Sequence, residues 1–184
     1  MRGIANKTVY ALGFFDGVHI GHQALLKACR ELAETLGCQA GVVTFTSHPD
    51  TLVSGNTPGL INTVEDRVGL LRAYGMEAVI QLPFDRELMN THWSAFLNQL
   101  VNHDAAGFVC GSDFRFGAGG SGTAKKLAAF CEKRQLPYAI VPQQLLGDIR
   151  VSSTHIRQLL ENGYVGAALI PGSEGLFSLY EKLG

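Results

Sequence analysis

Short β-rich apolar runs alternate with stretches of helical period along nearly the whole chain, and that alternation leaves few architectures open. Thr8–Leu12, Gln39–Phe45, Ala78–Leu82, Gly107–Cys110 and Tyr138–Val141 read as strands. Between the first two, Ala24, Leu25, Ala28, Leu32 and Leu36 recur at helical spacing, which predicts a helix over about His22–Leu36 stopped by Gly37. Thr63–Asp66 has the form of a capping box and opens a helix with Val64, Val68, Leu71 and Tyr74 on one face. Thr91 or Ser94 starts a helix through Phe96, Leu97, Leu100 and Val101. Leu127, Phe130 and Cys131 mark another, and Ser152–Leu160 a last one, closed by Asn162-Gly163. Strands and helices at this spacing form βαβ units, hence a doubly wound parallel sheet with helices on both faces. In such sheets ligands bind beyond the carboxyl ends of the strands. Three glycine-rich segments fall there: Gly13–Gly21, Gly111–Gly122 and the loop before Ser152, with a turn-rich stretch over Ser47–Asn62.

At 184 residues the chain has room for one well-buried α/β domain, taken as 1–184. A formal charge of −1 argues against a polymeric nucleic-acid partner, which would call for a basic excess. The longest apolar runs, such as Ala40–Phe45, fall far short of a membrane span, and the first residues lack the apolar core of a signal peptide. Cys29, Cys38, Cys110 and Cys131 are scattered with no Cys-x-x-Cys pair, as reduced core thiols of a cytoplasmic protein would be. No oligomeric state follows from the sequence.

Two motifs carry chemistry. In Gly13-Phe-Phe-Asp-Gly-Val-His-Ile-Gly-His22, His19 and His22 flank a glycine where a strand gives way to a helix. Unpaired N–H groups and the positive dipole end suit phosphate there, Gly21 permits close backbone approach, and two imidazoles can donate to phosphate oxygens. The alternatives are exposed loop histidines or zinc ligation, for which no third ligand stands nearby in sequence. In Val151-Ser-Ser-Thr-His-Ile-Arg157, Ser152, Ser153 or Thr154 can cap the helix. Arg157 lies one turn on, roughly on the face of Ser153 and Thr154, so the group can equally form a second phosphate clamp.

With these motifs the chain resembles the FMN adenylyltransferase module of the bacterial FAD synthetase family, a branch of the His-x-Gly-His nucleotidyltransferases. The resemblance runs from about Val9 to Ala168 and rests on several segments in order. They are Gly13–His22, Thr44–Pro49, Ile61–Arg67, Leu82–Asp85, Gly111–Gly117 and Ser152–Arg157. It implies a Rossmann-like nucleotidyltransferase fold, with ATP and FMN as substrates, Mg²⁺ as cofactor, and FAD and pyrophosphate as products. His19 and His22 would contact the ATP phosphates, with Ser153, Thr154 and Arg157 closing from the other side. Gly13, Phe14, Phe15, Asp16 and Gly17 would line the adenosine side, while Asn62, Asp113 and Phe116 would lie near the flavin. Phe114 and Phe116 could instead be loop-anchoring core, and Trp93 is read as core. Mg²⁺ would be held mainly by substrate phosphates, so no protein ligand is assigned.

Departures from the family pattern are specific. Ser47 replaces a usual proline, Thr46 a frequent acidic residue and His155 a common arginine. The loop Gly117–Gly122 lacks the lysine and arginine of relatives, and Pro171–Gly175 does not match the usual exit. No riboflavin kinase barrel is expected, so the chain would adenylylate FMN made elsewhere. The alternatives are a nucleotidyltransferase for another phosphorylated acceptor or for CTP, and a non-catalytic flavin- or nucleotide-binding module.

Overall fold

The computed structural model describes residues 7–48, 51–52, 59–146 and 148–163. The turn residues Pro49, Gly55 and Pro58 and the tail Pro171–Gly175 lie outside the described residues. The chain runs β1 (Thr8–Leu12), α1 (Ile20–Leu36), β2 (Gln39–Phe45), α2 (Val64–Ala73), β3 (Ala78–Leu82), α3 (Arg86–Asn90), α4 (Trp93–His103) and β4 (Ala105–Gly111). It continues through β5 (Arg115–Phe116), β6 (Gly122–Thr123), α5 (Ala124–Arg134), β7 (Tyr138–Val141), β8 (Leu145–Leu146), β9 (Ile149–Arg150) and α6 (Ser153–Glu161).

Five strands form one sheet in the order β3-β2-β1-β4-β7, and every pairing in it is parallel. This is the doubly wound, Rossmann-like architecture expected from the alternation. The order reverses between β1 and β4, so the crevice opens where these two strands end, at Gly13 and Gly111. β1 is buried along its whole length, and its side chains divide between two cores. Val9 and Ala11 pack with Leu26, Cys29 and Leu71 from α1 and α2, whereas Tyr10 and Leu12 pack with Leu97, Leu100 and Leu127 from α4 and α5. The two-residue period of a strand thus ties one helical layer to each face.

Helix ends follow their local chemistry. Gly37 ends α1, its N–H donating to the carbonyls of Ala33 and Glu34. The Thr63 hydroxyl accepts from Asp66 N–H at 3.1 Å and itself donates to the Asp66 carboxylate at 2.8 Å. The face expected of α2 is wrong in register, because the buried residues are Arg67, Leu70 and Leu71 while Val64 and Val68 are only half-buried. An arginine turns inward because two carbonyls at strand ends need a donor. Arg67 Nη1 donates to Phe14 O at 2.9 Å and Phe45 O at 3.1 Å, and its guanidinium lies 4.3 Å from the centre of the Phe14 ring. Neither Thr91 nor Ser94 begins α4: it starts at Trp93, with the His92 ring accepting from Ser94 N–H. The short α3 before it carries no apolar period and was not foreseen. All four cysteines are free, and Cys29, Cys110 and Cys131 are buried.

Two glycines of the loop after β5 are sterically required, although the positions between them are not crowded. Gly117 sits at φ 70°, and a Cβ there would stand 2.6 Å from Trp93 Cα. One at Gly122 would come within 2.8 Å of Trp93 Cβ. The loop lies flush on the start of α4, and Lys126 braces it by donating to Ser121 O at 2.7 Å. Gly117→Ala combines a left-handed backbone with a collision against main chain, so we expect a loss of roughly 1–3 kcal/mol. Urea unfolding measures it, and a change within experimental error would contradict the packing described.

Candidate active site at the strand ends

The turn after β1 is held in an uncommon shape. Phe15, Gly17 and Val18 have φ of 59°, 79° and 37°. Only glycine takes such angles without strain, and a β-branched valine does so only where its surroundings impose it. The imposing contacts are visible. Asp16, fully buried, accepts from Ile61 N at 3.0 Å and Asn62 N at 3.2 Å, and from Arg157 Nε at 3.4 Å. Asn62 Oδ1 accepts from Gly17 N, and Ser153 Oγ donates to Asp16 O at 2.8 Å. The turn after β1, the segment before α2 and the start of α6 are thereby bolted together.

The turn delivers His19 and His22 to the first residues of α1. Their rings stack with centroids 3.7 Å apart and planes 20° from parallel, and Gly21 leaves room for the His19 ring. Among the described residues no side chain caps α1, although Thr63 and Ser152 cap α2 and α6. The positive end of a 17-residue helix therefore faces the crevice with its first N–H groups uncapped by any side chain. His19 is 8% exposed, and burial lowers its pKa to about 4 even though Asp16 and Asp113 pull the other way. Burial also holds His22 well below the ordinary value, helped by His19 and Arg67. Both imidazoles are neutral near pH 7, and Nδ1 of each is buried without a hydrogen-bond partner among the described residues.

A cavity of about 350 Å³ opens on this pair, lined among others by Gly13, Phe14, Gly21, Asp113, Ser153, Thr154 and Arg157. The three glycine-rich segments do converge. Of the residues picked out from sequence, His19, His22, Gly13, Phe14, Gly21, Asp113, Ser153, Thr154 and Arg157 share this cavity. Phe15, Asp16 and Gly17 are buried beneath it and act as its frame. Ser152 is the cap of α6, and the Ser153 hydroxyl is committed to Asp16 O. Thr154 is exposed. Arg157 Nη2 lies 3.3 Å from His48 Nε2, a residue that sequence reasoning left off the site although it stands in the quoted Thr44–Pro49 segment.

Asn62, Asp113 and Phe116 are not brought together. Asn62 is 2% exposed and occupied with Gly17. Asp113 is ion-paired with Arg150 at the end of β9. Phe116 lines a second cavity of about 650 Å³, with Phe45, Phe84, Leu88 and Met89. Neither Arg67 nor Arg150 stood out in the sequence. Arg67 was hidden inside a regular helix, and Arg150 lies in a hairpin without an apolar period.

Among the described residues no group of three His, Cys, Asp or Glu side chains is placed to hold a metal, and no helix is long and apolar enough to cross a membrane. The FAD synthetase family model matches residues 2–155. A bifunctional riboflavin kinase/FMN adenylyltransferase from Listeria monocytogenes is 32% identical over 158 residues, covering 84% of this chain and 50% of the relative. One of the same description from Haemophilus influenzae is 33% identical, covering 82% of this chain and 50% of the relative. The chain thus spans about half the length of these relatives. Among solved structures, a Streptococcus pneumoniae protein described as a macrolide-efflux protein superposes with TM-score 0.80 at 28% identity, over 90% of this chain and 64% of that one. Pantoate-beta-alanine ligase from Francisella tularensis shares the fold, with TM-score 0.51 at 12% identity over 85% of this chain and 72% of that one.

The histidine environment sets a pH dependence. Between pH 6.5 and about 4 the unfolded chain protonates His19 while the folded chain does not, so its contribution is intact above pH 6.5 and lost as pH falls. From pH 7 to 4.5 the wild type should lose about 2–3 kcal/mol more stability than His19→Gln. Guanidinium unfolding at the two pH values reads the difference, and parallel losses in both proteins would refute it.

Proposed function

The chain belongs to the FAD synthetase family, and from that premise we propose that it transfers AMP from ATP to FMN, giving FAD and pyrophosphate. The observation that carries this reading is the shared cavity, where neutral stacked histidines and an uncapped helix start face Thr154 and Arg157 across a triphosphate-sized space. The adjoining cavity walled by Phe45, Phe84, Leu88, Met89 and Phe116 suits a flat aromatic ring system.

The acceptor's phosphate is largely ionised near neutral pH, its second pKa being about 6, and needs no protein base. One of its oxygens forms a bond to the α-phosphorus of ATP, and the bond from that phosphorus to the β-bridging oxygen breaks. Pyrophosphate leaves with the electron pair. The protein's work is to align the partners and to meet the charge that builds on the α-phosphate and leaving group. His19 and His22 donate N–H groups as neutral rings, and an arriving polyanion raises their proton affinity, so positive charge grows where it is needed. Arg157, which contacts Asp16 and His48, lines the same cavity and would meet these phosphates from the other side. Asp113, the one carboxylate lining this cavity, is paired with Arg150, so the described residues offer no cage for Mg²⁺. Mg²⁺ would be held mainly by the substrate phosphates and would supply charge neutralisation there. The free thiols agree with a reducing, cytoplasmic setting.

His22→Ala and Arg157→Ala should each lower turnover at least about a hundredfold with the fold retained. Incubation with ATP, Mg²⁺ and FMN followed by chromatography for FAD measures it. Near-wild-type FAD formation by both variants would remove the assignment.

A further inference from the structure

Three arginines line the two cavities, and two of them are engaged. Arg150 pairs with Asp113, and Arg157 with Asp16. Arg115 differs in two ways. It is the one residue that lines both cavities, and its guanidinium makes none of the hydrogen bonds or ion pairs found among the described residues. Among the described residues it is also the sole charged side chain on the wall of the apolar cavity. Its backbone is fixed, since β5 and β6 pair Arg115 with Thr123 and Phe116 with Gly122. Asp113 and Phe114 face the polar cavity and Phe116 the apolar one, so Arg115 stands at the seam.

We propose that Arg115 grips the phosphate monoester of the acceptor at this seam and is the residue that selects a phosphorylated acceptor over its unphosphorylated counterpart. The proposal rests on the adenylyl-transfer reading. An acceptor whose ring occupies the apolar cavity must present its phosphate toward the triphosphate next door. Two anions are then brought to within bonding distance, and a cation between them lowers that repulsion. A planar guanidinium also offers paired donors that fix the orientation of the attacking oxygen. The glycine loop Gly117–Gly122 carries no cation of its own, and Lys126, the lysine that reaches it, is engaged with Ser121 O.

The test compares wild type, Arg115→Met and Arg115→Lys for FMN and riboflavin binding by flavin fluorescence, with KM for ATP and FMN measured alongside. Arg115 is exposed, and matching melting temperatures will show that the variants fold. Arg115→Met should weaken FMN binding about tenfold or more, leave riboflavin binding unchanged and raise KM for FMN without raising that for ATP. Arg115→Lys should recover part of the loss. Equal weakening of both flavins, no weakening, or a loss confined to ATP would overturn the proposal. If the wild type binds FMN but forms no FAD, adenylyl transfer falls while the FMN-to-riboflavin ratio still judges Arg115. If it binds neither flavin, both fall.

Discussion

A carboxylate removed from water has to be met by donors, and Asp16 is met from two distant segments. Backbone N–H groups of Ile61 and Asn62 reach it from the segment before α2, and the Arg157 guanidinium reaches it from α6. The Ser153 hydroxyl closes on its carbonyl. Segments more than 130 positions apart in the chain are thereby set against the turn that aims His19 and His22. Removing one partner would leave a buried charge short of donors, a far larger penalty than the loss of one surface contact. The left-handed angles at Phe15 and Val18 persist because this cluster leaves the turn no alternative.

Electrostatics in the crevice follows from the same construction. The frame buries His19 and stacks it on His22, and burial holds both imidazoles below their ordinary pKa. Arg67 adds a fixed positive charge beneath them while tying the ends of β1 and β2 through Phe14 O and Phe45 O. Its Nε and Nη2 have no partner among the described residues, so full solvation is given up to hold those strand ends in place.

Much of this was legible in the sequence because it is local. Strand runs such as Gln39–Phe45 and caps such as Gly37 and Thr63 are decided by neighbours a few residues away, and the observed elements match them. The convergence of three glycine-rich segments also followed, since a parallel sheet puts all its strand ends on one side. What escaped depends on distant partners. The inward turn of Arg67 answers carbonyls in two other strands, and nothing in the period of α2 announces it. The division of Phe116 from Asp113 into separate cavities reflects β5 running along a wall, which the motif Gly111–Gly117 does not encode. The role of Asp16 as frame, rather than lining, became visible only with Ile61, Asn62 and Arg157 around it.

α6 is attached to the sheet in an unusual manner. Its apolar anchor is small, consisting of Val151 and Ile156 against Ile20 and Ile61, apart from the two main cores. Much of the remaining attachment is the polar contact with Asp16. A helix fastened this way has a lower opening free energy than α1, whose apolar face sits in a main core. Opening α6 would withdraw Thr154 and Arg157 from the crevice. Under the proposed function, a ligand that bridges the histidines to this helix would hold it closed, and amide protection along Ser153–Glu161 would then record how often the crevice is filled.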